Sequence, residues 1–309
     1  MDGWIDNACC CGATAGSVLF VARDVNGGAT DASGEIRACA ACCGLFPARF
    51  VVADAAVEAY RGYYTRRAAR SAWRNGARRA MNAARRRYLD RHTPSGARRL
   101  LDFGCGGGDY LTRMAVEHPA LDLYGTDAFE PARTDAFAWI AADAVAASGP
   151  FDWITLGHVL EHLPDPAATL ALLAECLTPD GALWIATPNA QSFIIKTAGP
   201  WARDIDFPRH RQIFSRAGLE RLLAEAGLRA DYHPAPRLNA VLNAAATLSV
   251  IARDSGGSEA ARAAAAFRTV AGLIGHLAWP RLATAPEWVA VCRRTLVAGG
   301  GIEPPTCGL

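Results

Sequence analysis

The sequence predicts an α/β fold, a doubly wound parallel sheet with helices on both faces. Three observations predict it. Short apolar runs alternate with helical stretches between residues 98 and 235, a glycine-rich turn follows the first run, and an acid closes the second run about twenty residues after that turn.

Composition sets the bounds. At 309 residues the chain buries one sizeable core plus a small appendage, or two domains at most. A hydrophobic content of 51% with 20% charged residues excludes wholesale disorder. A net charge of +2 gives no case for nucleic acid in the chain as a whole. The start, Met1 to Asn7, has neither basic residues nor an apolar run, so no secretory signal is expected. The most apolar later stretch, 238–252, is shorter than the roughly 20 residues of a spanning helix, and Arg253 follows it. A cytoplasmic protein is the expectation, and in that compartment ten cysteines suggest metal or reactive thiols before disulfides.

Taken in order, residues 1–50 hold two cysteine clusters, Cys9-Cys10-Cys11 and Cys39 with Cys42 and Cys43. Extended runs at 17–22 and 35–38 flank a polar, glycine-rich turn and predict a short hairpin. Residues 51–97 carry apolar residues at helical spacing among arginines from Arg61 to Arg91. Such a run is a solvated helical face in most proteins; its functional reading is a surface that attracts an anionic acceptor. Residues 98–295 form the main domain. Strands are expected at 98–103, 121–126, 136–141, 151–156, 182–186 and 287–292, with helices at 109–117, 166–177 and 215–226. Asp165 with Pro166 and the glycine at 227 supply start and stop signals. An Ala-rich helical insert fills 238–280, broken near Asp254, and 296–309 reads as a disordered tail.

The chemistry gathers at strand ends. In Leu100 to Asp109, Gly104, Gly106 and Gly108 permit a tight turn with bare backbone against a ligand. A dinucleotide fingerprint needs glycine at its sixth position, where this turn has Asp109. Asp102 precedes the first glycine by two, which suits a cationic amino-acid group better than a pyrophosphate. Asp127 ends the next strand, where a carboxylate accepts both ribose hydroxyls. Asp143 follows the third strand, where an acceptor meets an adenine amino group.

These segments, together with 151–166 and 177–189, resemble the motif series of class I S-adenosylmethionine (SAM) dependent methyltransferases. They are most similar to the branch holding ubiquinone-biosynthesis O-methyltransferases and sugar methyltransferases. The Phe207-Pro-Arg-His210 segment with Phe214-Ser215 resembles the stretch after strand five in that branch. The resemblance covers about 98–235. It implies a Rossmann-like sheet of seven strands with the last antiparallel. It also implies a SAM site in which Asp102, Gly104, Cys105, Gly106 and Gly108 hold the methionine moiety. Asp127 with Ala128 would take the ribose, Asp143 with Ala144 the adenine, and backbone at Gly157 would close the site.

In-line transfer to an acceptor needs proximity, alignment and, for a neutral acceptor, a base. His158, Glu161 and His162 follow strand four, where the acceptor would lie. Three readings stay open: Glu161 and His162 as a base with its orienting partner, His158 with Glu161 on a metal ion, or a brace for the following turn. The cysteine clusters resemble the zinc-binding segment ahead of some sugar methyltransferases, which implies Cys9, Cys11, Cys39 and Cys42 as ligands of a structural zinc. The usual first knuckle is Cys-x-x-Cys-Gly; here Cys9, Cys10, Cys11 and Gly12 stand in its place.

The expectation is therefore methyl transfer, to oxygen or carbon, on a small-molecule, sugar or lipid-linked acceptor. The insert would be a cap over the acceptor pocket, resting on a membrane surface, or else a helical pair that thickens the core or forms a homodimer contact. Two rivals rank behind. A nucleic-acid methyltransferase would use the arginines on phosphates, but no Asn-Pro-Pro-Tyr type motif follows strand four. A non-catalytic regulator would keep the fold as a scaffold.

Overall fold

A computed structural model describes residues 4–25, 33–51, 91–128, 135–254 and 257–295. Most of the arginine-rich stretch expected to be helical, and the whole tail from 296, lie outside the described residues.

Near the amino terminus, β1 (Trp4–Asp6) pairs antiparallel with the strand that closes this region, Arg49–Val51. Between them β2 (Gly16–Arg23), β3 (Ser33–Cys39) and β4 (Leu45–Pro47) form an antiparallel sheet, so the closing strand is β5. The β2–β3 hairpin is the expected one, and its register sets Gly16 opposite Cys39. β1, β4 and β5 have three residues each, too few for an alternation to reveal them.

The main sheet contains β6 (Arg99–Phe103), β7 (Asp122–Thr126), β8 (Ala138–Trp139), β9 (Phe151–Gly157), β10 (Leu177–Pro188), β11 (Leu228–His233) and β12 (Glu287–Arg294). Their spatial order is β11-β12-β10-β9-β6-β7-β8, with β12 antiparallel to both neighbours. This is the seven-stranded α/β arrangement expected. The chain enters the sheet in β6, beside the central strand β9, steps outward to β8, and returns to β9 on the other side of β6. That reversal opens a crevice at the carboxyl ends of β6 and β9.

Both faces of the sheet are covered, which is why its strands read as continuous apolar runs. Successive residues point to opposite faces. Leu100, Trp153, Trp184 and Val291 join one buried cluster with Leu111 and Met114 of α1 (Asp109–Glu117). Leu101, Ile154, Ile185 and Ala290 join the other. One-turn α2 (Val145–Ser148) adds Val145 to that second cluster. The second cluster also takes Leu170 and Leu173 from α3 (Pro166–Glu175). The capping expected for α3 is present: the Asp165 side chain accepts from Ala168 N at 2.9 Å, with Pro166 in the first turn. Strand three was expected over six residues, but only Ala138 and Trp139 pair with β7. As the edge of the sheet it has a partner on one side alone.

Four more helices follow β10 in the chain. Short α4 (Phe193–Ala198) starts at Ser192, whose hydroxyl accepts from Ile195 N, and α5 (Arg216–Glu225) is capped by Ser215. The insert is a helical pair, α6 (Arg237–Arg253) and α7 (Glu259–Ala278), broken next to Asp254 as expected. Its buried side chains Ala240, Ala244, Ile251 and Ala265 share a separate core with Phe193 and Ile194 of α4 and with Ile36 and Leu45 of the amino-terminal sheet. No helix among the described residues is long and apolar enough to cross a membrane.

Candidate active site

The crevice begins where β6 runs into its glycine turn. Gly104, Gly106 and Gly108 all have positive φ, at 82°, 56° and 73°. A Cβ at Gly104 would stand 2.2 Å from Val159, and one at Gly108 would stand 2.4 Å from Phe137. Only glycine satisfies both the left-handed backbone and that packing. Above Gly106, by contrast, a Cβ would meet nothing within 4 Å, so one side of the turn is open to a ligand.

Backbone hydrogen bonds tie the turn to the end of β7. Gly104 N and Cys105 N both donate to Thr126 O, at 2.7 and 3.0 Å. Gly106 N donates to Asp127 Oδ2 at 2.8 Å. Asp102 is buried and accepts from Thr155 Oγ1 at 2.6 Å, which links the carboxyl ends of β6 and β9. Burial, followed by the fields of Asp102 and Asp127, pushes the Cys105 thiol up to about 12, so it stays protonated. Two carboxylates beside a bare backbone turn make a cradle for a ligand with a cationic end and hydroxyls, which SAM is. Ala128 is exposed, Gly157 is the last residue of β9, and Asp143 with Ala144 lies in a 3-10 turn after β8, Asp143 exposed.

Past β9 the chain turns sharply. His158 has φ 59°, rare for a side chain of this size. That backbone places the imidazole between two acids: Nδ1 lies 3.3 Å from Glu161 Oε1 and Nε2 lies 3.0 Å from Glu287 Oε2. Burial disfavours the charged ring, but the hydrogen bonds to Glu161 and Glu287 outweigh it and raise its pKa to about 10. The side chain is 47% exposed, so solvent weakens this pairing without reversing its sign. Glu161 is fully buried. Burial opposes its ionisation, yet the bond with His158 holds its pKa at about 2, and its Oε2 accepts from Thr187 at 2.9 Å. Glu287 in turn accepts from Asn239 of α6 at 2.5 Å.

His162 and His210 form the other half of the cluster, with ring centroids 4.6 Å apart. The Nδ1 of His162 lies 3.0 Å from Arg209 O, and that of His210 lies 2.8 Å from Asp204 O. A carbonyl only accepts, so each Nδ1 carries the proton and each Nε2 is left as the acceptor. Burial, with His162 nearby, lowers His210 to about 4 and keeps it neutral. Burial also raises Asp204 to about 6. One donor atom each from Glu161, His162 and His210 lie within 4.8 Å of one another.

A methyltransferase-domain family model matches residues 72–233, just over half of the chain. The chain belongs to that family. Its curated relatives include the ubiquinone biosynthesis O-methyltransferase of Thiobacillus denitrificans, 29% identical over 49% of this chain and 73% of that protein. The protein of the same name from Burkholderia pseudomallei is 28% identical over 53% of this chain and 81% of its own length. Among solved structures, a SAM dependent methyltransferase from Archaeoglobus fulgidus is 20% identical, covers 70% of this chain and 94% of that one, and has a TM-score of 0.42.

The protein is thus a class I SAM-dependent methyltransferase that resembles the ubiquinone-type O-methyltransferases. In this methyltransferase the structure brings the expected Asp102, the glycines and Asp127 together at one crevice. It also gathers His158, Glu161 and His162, and adds Glu287, His210, Asp204 and Asn239 to them. Glu287 left no signal in the sequence, since a lone acid at the start of a strand is ordinary. His210 stood inside a resembling segment but without an assigned role.

The four expected cysteines also meet. Cys9 Sγ lies 3.3 Å from Cys42 Sγ, Cys11 Sγ lies 3.4 Å from Cys39 Sγ, and all four sulfurs are within 4.8 Å of one another. A tetrahedral thiolate site with Zn–S near 2.3 Å needs sulfurs about 3.8 Å apart, so the set fits a structural zinc.

Proposed function

We propose that the methyltransferase moves the SAM methyl group onto a hydroxyl oxygen of a small aromatic acceptor, with His162 as the base. The observation that carries this is the fixed His162 tautomer: Arg209 O holds its Nδ1–H and leaves Nε2 to take a proton at the carboxyl end of β9. The names of the curated relatives, O-methyltransferases of ubiquinone biosynthesis, support oxygen as the methylated atom.

When bound, SAM supplies an electrophilic methyl on a sulfonium. Asp102, which accepts from Thr155, would hold its amino-acid end, Asp127 would take the ribose hydroxyls, and Asp143 with Ala144 would meet the adenine. The bare turn at Gly104 to Gly108 admits the ligand against the backbone. Glu161 is ionised, buried and already engaged by Thr187 and His158, so it orients rather than abstracts. His158 lies between Glu161 and Glu287, which both favour its charged form. Incubation with methyl-labelled SAM and a panel of aromatic diols, such as 3,4-dihydroxybenzoate, tests the reading by mass spectrometry. One added methyl on oxygen is expected. Label on carbon or nucleic acid alone, or on none of the panel, would overturn it.

A second reading has its own observation. Imidazoles with Nδ1 anchored on carbonyls are pre-set as metal ligands through Nε2, and with Glu161 they can hold one divalent cation. Titration calorimetry with Mg²⁺ or Mn²⁺ separates the two, because a filled site leaves His162 no lone pair for a proton.

A further inference from the structure

The residues between Asp206 and Ser215 lie between two parts of the molecule that the sequence keeps far apart. On one side they set the acceptor cluster. Arg209 O fixes His162, His210 belongs to the cluster, and the N–H groups of Arg211 and Gln212 both donate to Glu161 O, at 2.9 and 3.3 Å.

On the other side the same residues are fastened to the cysteine-bearing segment. Leu45 and Ile213 form an antiparallel bridge with N···O distances of 2.9 and 2.8 Å. Asn7 donates to Arg211 O, the Gln212 side-chain amide donates to Ala8 O, and its Oε1 faces Cys9 Sγ. The Ser215 hydroxyl donates to Cys42 O. Phe207 stacks on Trp4 at 5.6 Å.

The strongest tie is charged. Arg209 meets Asp24, just beyond β2, in a two-point contact at 2.7 and 3.2 Å, and meets Asp206 at 2.6 Å. The Arg209 and Asp24 side chains are each 1% exposed. Burial works against the guanidinium, and Asp206 and Asp24 together more than offset it. A two-point contact fixes the direction of the guanidinium plane as well as its charge. Its own carbonyl and the next residue, His210, are thereby held in register with His162.

We infer that Asp24 is a positioning residue for methyl transfer, and that the cysteine-bearing segment is a working part of the acceptor site. This rests on the reading of His162 as the base. Asp24 acts through Arg209.

The test uses the full chain labelled with ¹⁵N-histidine, in three forms: parent, Asp24→Asn and Asp24→Glu. Long-range ¹H–¹⁵N correlation reports which ring nitrogen of His162 and His210 carries the proton, and calorimetry reports SAM affinity. In the parent both rings should be Nδ1–H. In Asp24→Asn the His162 signal should shift toward a mixture of tautomers while SAM affinity stays within twofold. Turnover of 3,4-dihydroxybenzoate should fall at least tenfold with little change in KM, and Asp24→Glu should recover part of both losses. Unchanged tautomers, or tautomer and SAM affinity lost together with no recovery in Asp24→Glu, would overturn the inference. If Asp24→Asn does not fold, Gln212→Ala probes the same attachment and should shift His162 in the same direction; an unmoved signal there overturns it. A parent that leaves the diol unmethylated counts against the proposed acceptor, while the histidine signals still decide the role of Asp24.

Discussion

At the residue scale, the carboxylates and imidazoles divide their work by environment. Asp127 is half-buried and already accepts from Gly106 N, so a ribose diol would complete its hydrogen bonding. Such a charge-assisted contact is worth about 1.5–3 kcal/mol, so Asp127→Ala should weaken SAM binding at least tenfold in a folded protein, read by calorimetry. An unchanged affinity would remove Asp127 from the cofactor site. His162→Ala should lower turnover by roughly 10²–10⁴ and leave SAM affinity nearly intact; turnover within a few-fold of the parent would make the ring a brace. The His158 cluster makes a pH prediction with a definite sign. The His158 pKa is raised from 6.5 to about 10, so its contribution to stability is full below about 6.5 and is lost as pH rises through 10. Glu161 is lowered from 4.5 to about 2, so its contribution is present above about 4.5 and lost as pH falls through 2. Glu287→Gln removes one acid from His158, and the NMR titration of that ring should move down from its parent value. An unmoved titration would mean that Glu161 alone sets it.

At the scale of elements, the glycine turn and the helical insert show how much backbone patterns reveal. Gly104 was legible because the φ-permissive positions cluster between a strand and a helix, and no contact needs to be known to read that. Gly104→Ala adds the 2.2 Å approach to Val159 and left-handed strain at once, so SAM binding should be lost before the fold is. The insert was legible as helices and illegible as to purpose. Ala-rich helices read alike whether they cap a pocket or complete a core, because a small apolar face fits either. The structure puts Ala240, Ala244, Ile251 and Ala265 into the core shared with Phe193 and Ile36. Replacing 240–278 by a short Gly-Ser bridge should therefore expose that core and aggregate the protein. A soluble deletion variant that binds SAM but fails to turn over acceptor would restore the pure cap.

At the scale of the whole molecule, the amino-terminal segment is joined to the acceptor site rather than hung in front of it. Protein purified without chelator should contain about one zinc per chain, held by Cys9, Cys11, Cys39 and Cys42. A metal-free, fully folded preparation would contradict that. The division between what was readable and what was not follows from range. The strand–helix alternation and the glycine turn were readable within residues 98–235, because each depends on periodicity or spacing over a few tens of residues. The seven-strand sheet, the SAM contacts and the four zinc ligands came with the family resemblance. The Asp24–Arg209 pair spans 185 residues, and Asn189 reaches Ala285 across 96. Glu287 meets His158 only because β12 returns antiparallel beside β10 after the insert. Polar side chains buried this way announce nothing locally. Their partners come from elements that hydrophobic burial brings together first, so only the folded chain could name them.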